Sequence, residues 1–126
     1  MQAFKTKTFA RWASGEGLND DTLVSAVAEM EQGLIDAYMG GEVVKKRVAL
    51  PGRGKRGGAR TLLAFRQNDK AFFIYGFAKN ERANVSDREL KALKLLAKEL
   101  LNYPAVTLTK AIDASELIEI EVNDDG

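Results

Sequence analysis

The residues best equipped for chemistry in this chain are cations in an unusual grouping. Between Lys45 and Asn68 stand eight basic residues, Lys45, Lys46, Arg47, Arg53, Lys55, Arg56, Arg60 and Arg66, with no acidic residue among them. A protein surface ordinarily mixes charge signs, so a block of one sign calls for a partner or a counter-charge, and basic blocks most often face phosphates. Arginine offers phosphate oxygens a planar fork, and glycine lets the backbone come close to a bulky ligand. Both are combined in Gly52-Arg53-Gly54-Lys55-Arg56-Gly57-Gly58-Ala59-Arg60. Residues two apart in a strand share a face, so Lys45 and Arg47 point the same way if 43–50 is a strand. Arg60, opening the neighbouring strand, reaches the same surface. Paired basic residues on an interior strand are a poor structural choice unless that sheet face is open to an anion.

The chain has no histidine and no cysteine. That removes an imidazole base, a His–Asp relay, thiolate catalysis and the common zinc cages. Catalysis would have to use Lys, Arg, Tyr, Ser, Thr, Asp or Glu, and no metal or organic cofactor is expected. Gly52-Arg-Gly-Lys-Arg-Gly57 formally matches the G-x-G-x-x-G dinucleotide fingerprint, which works only where a helix follows the glycines. A strand, Thr61-Leu-Leu-Ala-Phe65, follows instead. A P-loop also fails, because Gly54-Lys55 is followed by Arg56, where Ser or Thr is required, and position 49 is alanine.

From Ala111 to Gly126 there are six acidic residues and no basic one, while the net charge is only +1. Neutralisation of the basic block by this segment is therefore the alternative to an anionic partner. At 126 residues, 45% hydrophobic and 29% charged, the composition fits one globular domain, residues 1–126. No apolar run approaches the roughly 18 residues of a membrane helix, and the first residues hold no signal-like stretch. A cytoplasmic protein without membrane contact is expected.

The elements that must position the cations follow from periodicity and punctuation. Residues 2–9 read as a strand. A helix capped at Asn19, Asp20 or Asp21 carries a stripe of Leu23, Val24, Val27, Met30, Leu34, Ile35 and Tyr38, with Met30 and Tyr38 as core contacts, interrupted by Gly33 and ended by Gly40-Gly41. Strands follow at Val43–Leu50, Arg60–Gln67 and Ala71–Ala78, the last two joined as a hairpin. Ser86-Asp-Arg-Glu89 is a capping box opening a helix with Leu90, Leu93, Leu96, Ala97, Leu100 and Leu101 on one side. Its lysines, Lys91, Lys94 and Lys98, lie largely opposite and read as a solvated face. A short helix near Leu108–Ala114 and a strand Leu117–Val122 close the chain, with Ile118, Ile120 and Val122 facing inward and Glu119 and Glu121 outward. The whole is an α+β domain: a largely antiparallel sheet with helices packed on one face.

Four stretches together, Lys45-Lys-Arg-Val48, Gly52–Leu63, Phe72–Glu81 and the helix 87–101, resemble the RelE/ParE superfamily of type II toxins, closest to the HigB-like RelE branch. The resemblance implies a RelE-like fold and a ribosome-dependent endoribonuclease that cleaves mRNA through attack of a ribose 2′-OH on the adjacent phosphate. It matches Lys45, Arg47 and Arg60 to the family's phosphate-handling cations. Lys79-Asn80-Glu81 falls where RelE has Lys-Arg-Glu, so Lys79 and Glu81 join the catalytic candidates while Asn80 replaces the arginine. A family tyrosine falls near Ser86, the helix cap. The base is open between Lys45 and Glu81. Lys46, Arg53, Lys55, Arg56 and Arg66 are expected on RNA. The expected partners are an antitoxin, often a helix-turn-helix protein in this branch, and the ribosome with its mRNA. The rivals are a ParE-like gyrase poison and a non-catalytic RNA-binding domain.

Overall fold

The computed structural model describes residues 1–121, and of Lys55 and Arg56 the backbone only. Ten elements follow one another: β1 (Gln2–Thr6), α1 (Lys7–Gly15), α2 (Asp20–Glu31), β2 (Ala37–Gly40), β3 (Val43–Leu50), β4 (Gly54–Arg66), β5 (Lys70–Ala78), α3 (Asp87–Leu101), α4 (Ala105–Asp113) and β6 (Leu117–Ile120). The strands form one sheet in the order β2-β3-β4-β5-β1-β6. Every neighbouring pair is antiparallel except β1 and β5. The α+β class and the largely antiparallel sheet agree with the sequence.

Helices cover both faces of the sheet, not one. Strand side chains alternate, and each parity has its own core. Ala3, Val44, Leu63 and Phe73 pack with Phe9, Leu23, Val27 and Met30 of α1 and α2. Phe4, Val43, Leu62, Ala64 and Phe72 pack with Leu93, Ala97, Leu100 and Leu108 of α3 and α4. Phe4 and Phe72 stack with ring centres 5.0 Å apart across the parallel pair. Each fully buried phenylalanine is worth about 2–3 kcal/mol of transfer free energy, so the two-sided burial explains why these strands read as continuous apolar runs.

Other expectations need correction. Strand 2–9 ends at Thr6, whose hydroxyl accepts from the Phe9 backbone N–H at 3.1 Å and caps α1. The helix beyond Asn19 stops at Glu31, and Gly33, at φ +89°, turns the chain into edge strand β2. Tyr38 is consequently 74% exposed and no core residue. The glycine-rich segment is a loop only over residues 51–53; from Gly54 it already pairs with β3. In β6 the buried residues are Leu117 and Ile120, with Ile118 outward. Val122 lies outside the described residues. The capping box on α3 forms as read, with Ser86 Oγ accepting from Glu89 N–H and the Glu89 carboxylate accepting from Ser86 N–H.

Candidate active site on the α3 face of the sheet

Helix α3 packs on Val43, Leu62, Ala64 and Phe72 of its sheet face, and Arg47 and Arg60 lie beyond them on the same face. Residues directly opposite across paired strands share a face, and the register defines two rows: Lys45–Leu62–Tyr75 and Arg47–Arg60–Phe77. A bulge creates this arrangement. Leu62 pairs with Tyr75 but Leu63 with Phe73, so Ile74 is the extra residue and the parity of β5 changes there. Tyr75 and Phe77 are thereby turned onto the face that carries Arg60. Behind them, Gly76 holds the indole of Trp12: a Cβ at Gly76 would stand 2.3 Å from that ring, which only glycine permits.

Three strands at about 4.8 Å spacing and two rows about 7 Å apart make a patch the size of a phosphodiester. Arg60 is only 8% exposed. Burial first, and then the neighbouring Arg47 guanidinium, lower its proton affinity, while Asp36 acts the other way. Arg60 nonetheless keeps its charge at neutral pH, as arginine does in proteins. Arg47 is exposed; its Nε lies 3.7 Å from Asp36 Oδ1, and its backbone N–H donates to Asp36 Oδ2 at 2.7 Å. Like charges directly opposite in a sheet repel, and Asp36 beside Arg47 offsets part of that repulsion. Lys45, half-buried, stands one row away.

The loop after β5 supplies a residue the sequence did not reveal. Arg82 Nη1 donates to the Tyr75 hydroxyl oxygen at 3.1 Å and to Glu89 Oε2 at 3.0 Å, and Nη2 pairs with Glu89 Oε1. Its Nε donates to the Asn84 carbonyl at 2.9 Å, and its guanidinium lies 5.7 Å from the centre of the Phe77 ring. The Tyr75 hydroxyl donates to Glu89 Oε2 at 3.0 Å. Hydrogen bonds from Arg82 and then Ser86 hold the Glu89 carboxyl far below the usual carboxylate range. Burial and then Glu89 push the Tyr75 phenol up. Glu89 is thus a fixed anion, Tyr75 a neutral hydroxyl, and Arg82 a cation braced at the edge of the patch. The signal for Arg82 was its position seven residues before the N3 glutamate of a capping box, a relation visible only once the loop folds back.

The other expected site residues divide. Lys46 lies on the opposite face of β3, buried, with Nζ 2.7 Å from Glu29 Oε1 and donating to the Leu34 carbonyl at 2.8 Å. Arg66 lies at the far end of β4. It makes a two-pronged pair with Glu42 at 2.8 and 2.9 Å and donates to the Leu101 carbonyl at 3.2 Å. Neither joins the cluster. Arg53 is exposed at the β3–β4 turn, and the backbone of Lys55 and Arg56 continues into β4 beside it. Lys79 and Glu81 are exposed on the loop that brings Arg82 in, and their backbone N–H groups donate to Gly58 and Ala78 carbonyls. No helix among the described residues is long and apolar enough to cross a membrane.

Lys45, Arg47, Arg60 and Arg82 thus gather at one end of one face of a mixed α+β sheet. A family model described as the RelE toxin of the RelE/RelB toxin–antitoxin system matches residues 1–120, and the chain belongs to that family. The membership makes it a toxin of a toxin–antitoxin system and implies an antitoxin partner. No curated protein matches the chain.

Proposed function

We propose that this protein is a ribosome-dependent mRNA endonuclease of the HigB-like RelE branch, acting in the cytoplasm as the toxin of its pair. The observation that carries the reading is the register pair Arg47–Arg60, two like charges opposite one another on the α3 side of the sheet, with Lys45 one row away. In the reaction, a ribose 2′ oxygen attacks the adjacent phosphorus and the bond from phosphorus to the 5′ oxygen breaks. A 2′,3′-cyclic phosphate and a 5′-OH result. Arg47 and Arg60 meet the charge developing on the phosphorane oxygens, the kind of preorganised contact worth about 3 kcal/mol. Arginine cannot accept the 2′-OH proton, and Glu89 is occupied by Arg82, Tyr75 and Ser86, which leaves Lys45 and Glu81 as the two candidate bases; a lysine accepts the proton only in its neutral form. The departing 5′ oxygen takes its proton from water after the guanidinium groups have met its charge. Lys79 and Glu81 stand at the rim, and Arg53, Lys55 and Arg56 hold the flanking RNA.

Ribosomes programmed with a defined mRNA test this directly. New 5′ ends within the A-site codon, seen by primer extension with the wild type and lost in Lys45→Met and Arg60→Gln, are the expected result. Inhibition of gyrase supercoiling without mRNA cleavage would instead identify a ParE-like poison. RNA binding with neither activity would leave a non-catalytic domain. Proton transfer by Glu81 would show as loss of cleavage in Glu81→Gln with activity retained in Lys45→Met.

A further inference from the structure

Helix α3 carries a second basic surface that the cleft does not use. Its core side is formed by Leu93, Ala97, Leu100 and Leu101, all buried. At about 100° per residue, Arg88, Lys91, Lys94 and Lys98 fall on one flank, with Leu95, 66% exposed, among them. None of these four cations makes an ion pair among the described residues. Glu42, which lines the same groove, is already held by Arg66. The flank overlooks the β2–β3 turn, where Gly41 lies against the stem of Lys94: a Cβ there would stand 3.0 Å from the Lys94 Cγ. Lys91, Lys94, Leu95, Lys98 and Gly41 line an open groove of about 440 Å³.

The direction of the helix ties this flank to the cleft. Glu89, in its first turn, bonds Tyr75 and Arg82, while Leu101, in its last, meets Arg66 at the other end of β4. The row from Arg88 to Lys98 therefore leads away from the candidate site for about 15 Å at 1.5 Å per residue.

We infer that this flank binds the phosphate backbone of double-helical RNA beside the strand held in the cleft. The inference rests on the reading of the protein as an RNA-directed toxin. Lysines are point charges suited to phosphates, not to base edges. The row contains no aromatic side chain on which unpaired bases could stack, as single-strand binders require. Duplex RNA is recognised chiefly through phosphates and 2′-OH groups, which a straight row of cations can follow. A protein partner fits the row less well, because interface cores are depleted in lysine and Leu95 is the one large apolar group exposed within it. The lysine side of α3, read in the sequence as a solvated face, becomes an extension of the binding surface.

The test compares two variants that lose the same charge. Lys91→Gln with Lys98→Gln alters the flank; Lys7→Gln with Lys110→Gln alters exposed lysines elsewhere. Binding of a 16-base-pair RNA duplex is followed by fluorescence anisotropy from 50 to 200 mM salt. The expected result is a plot of log affinity against log salt shallower by about 2 in the flank variant, at about 0.9 per phosphate contact. Affinity should fall at least fivefold there and stay within twofold of wild type in the control. Equal behaviour of the two variants overturns the inference. So does a wild type that ignores the duplex yet binds a polyglutamate peptide through the same lysines, which would give the flank to an acidic protein. The ribosomal cleavage assay separates the two readings. Duplex binding lost in the flank variant, with no mRNA cleavage by the wild type, sinks the nuclease and keeps the flank; intact cleavage with indifferent flank variants does the reverse.

Discussion

Two arginines on one face of β4 show how differently the fold uses the same side chain. Arg66 is enclosed by acceptors: the Glu42 carboxylate takes both prongs, the last turn of α3 offers the Leu101 carbonyl, and Asp69 lies 3.8 Å away. Its proton affinity is raised, chiefly through the hydrogen bonds to Glu42. Arg60, six residues earlier, is buried opposite another arginine, and its proton affinity is lowered. One end of the strand is arranged for its own stability. The other sets two arginines opposite each other, with Asp36 beside Arg47.

The comparison breaks or sharpens under four substitutions or conditions. Arg60→Gln should reduce mRNA cleavage by about 10²–10³-fold, the effect of deleting one preorganised transition-state contact, whereas Arg66→Gln should stay within about threefold per folded molecule. Comparable losses in both, measured as initial rates of primer-extension product, would erase the distinction. Glu89→Gln comes next. Glutamine still serves the capping box, but Arg82 loses its carboxylate, and misplacement of the cleft edge should lower cleavage about 10- to 100-fold. A smaller effect on stability is expected from Arg66→Gln, about 1 kcal/mol in urea unfolding, since the pair is partly exposed. Arg66→Gln should therefore lower the midpoint while the cleft, titrated with RNA, keeps its affinity.

The smallest effect concerns acid. Arg66 holds the Glu42 carboxyl below its ordinary value. A depressed folded-state value means that the carboxylate stabilises the fold above its unfolded value, about pH 4.3, and that this contribution disappears as pH falls through the folded value. Arg66→Gln should accordingly lose less stability than the wild type between pH 5 and pH 3. Parallel curves of unfolding free energy against pH would show that the pair contributes nothing in solution.

Lys45, Arg47 and Arg60 were legible as a group because strand parity and a charge-only stretch are local properties. So was β3, whose observed ends, Val43 and Leu50, coincide with the apolar boundaries of the basic run. Charge density alone misled at Lys46 and Arg66. Parity sends Lys46 to the other face, and the partner of Arg66 lies 24 residues away in sequence. Helix α1 was hidden because Phe4 and Phe9 suggest one continuing strand, while the cap at Thr6 and the spacing Phe9–Trp12–Ala13 mark a helix. β2 was lost to the helical stripe across Gly33. Arg82 was out of reach altogether: nothing near it in sequence tells that its guanidinium will bridge Tyr75 and Glu89. The two-sided core escaped for a related reason, since continuous apolar strands satisfy one covered face or two.

Strand β1 lies between β5 and β6, paired with residues 70–73 on one side and 117–120 on the other. The cleft, by contrast, is assembled from strands β3 to β5, joined by short turns, and from the first turn of α3. Loop-closure entropy rises with the length of chain enclosed, so contacts between neighbouring segments form readily and those spanning most of the chain form slowly. The order of events in folding is thereby biased: the cation-bearing meander gathers first, and insertion of β1 seals the sheet afterwards. A species with its cleft built and its sheet unsealed would expose the flanks of β5 and β6.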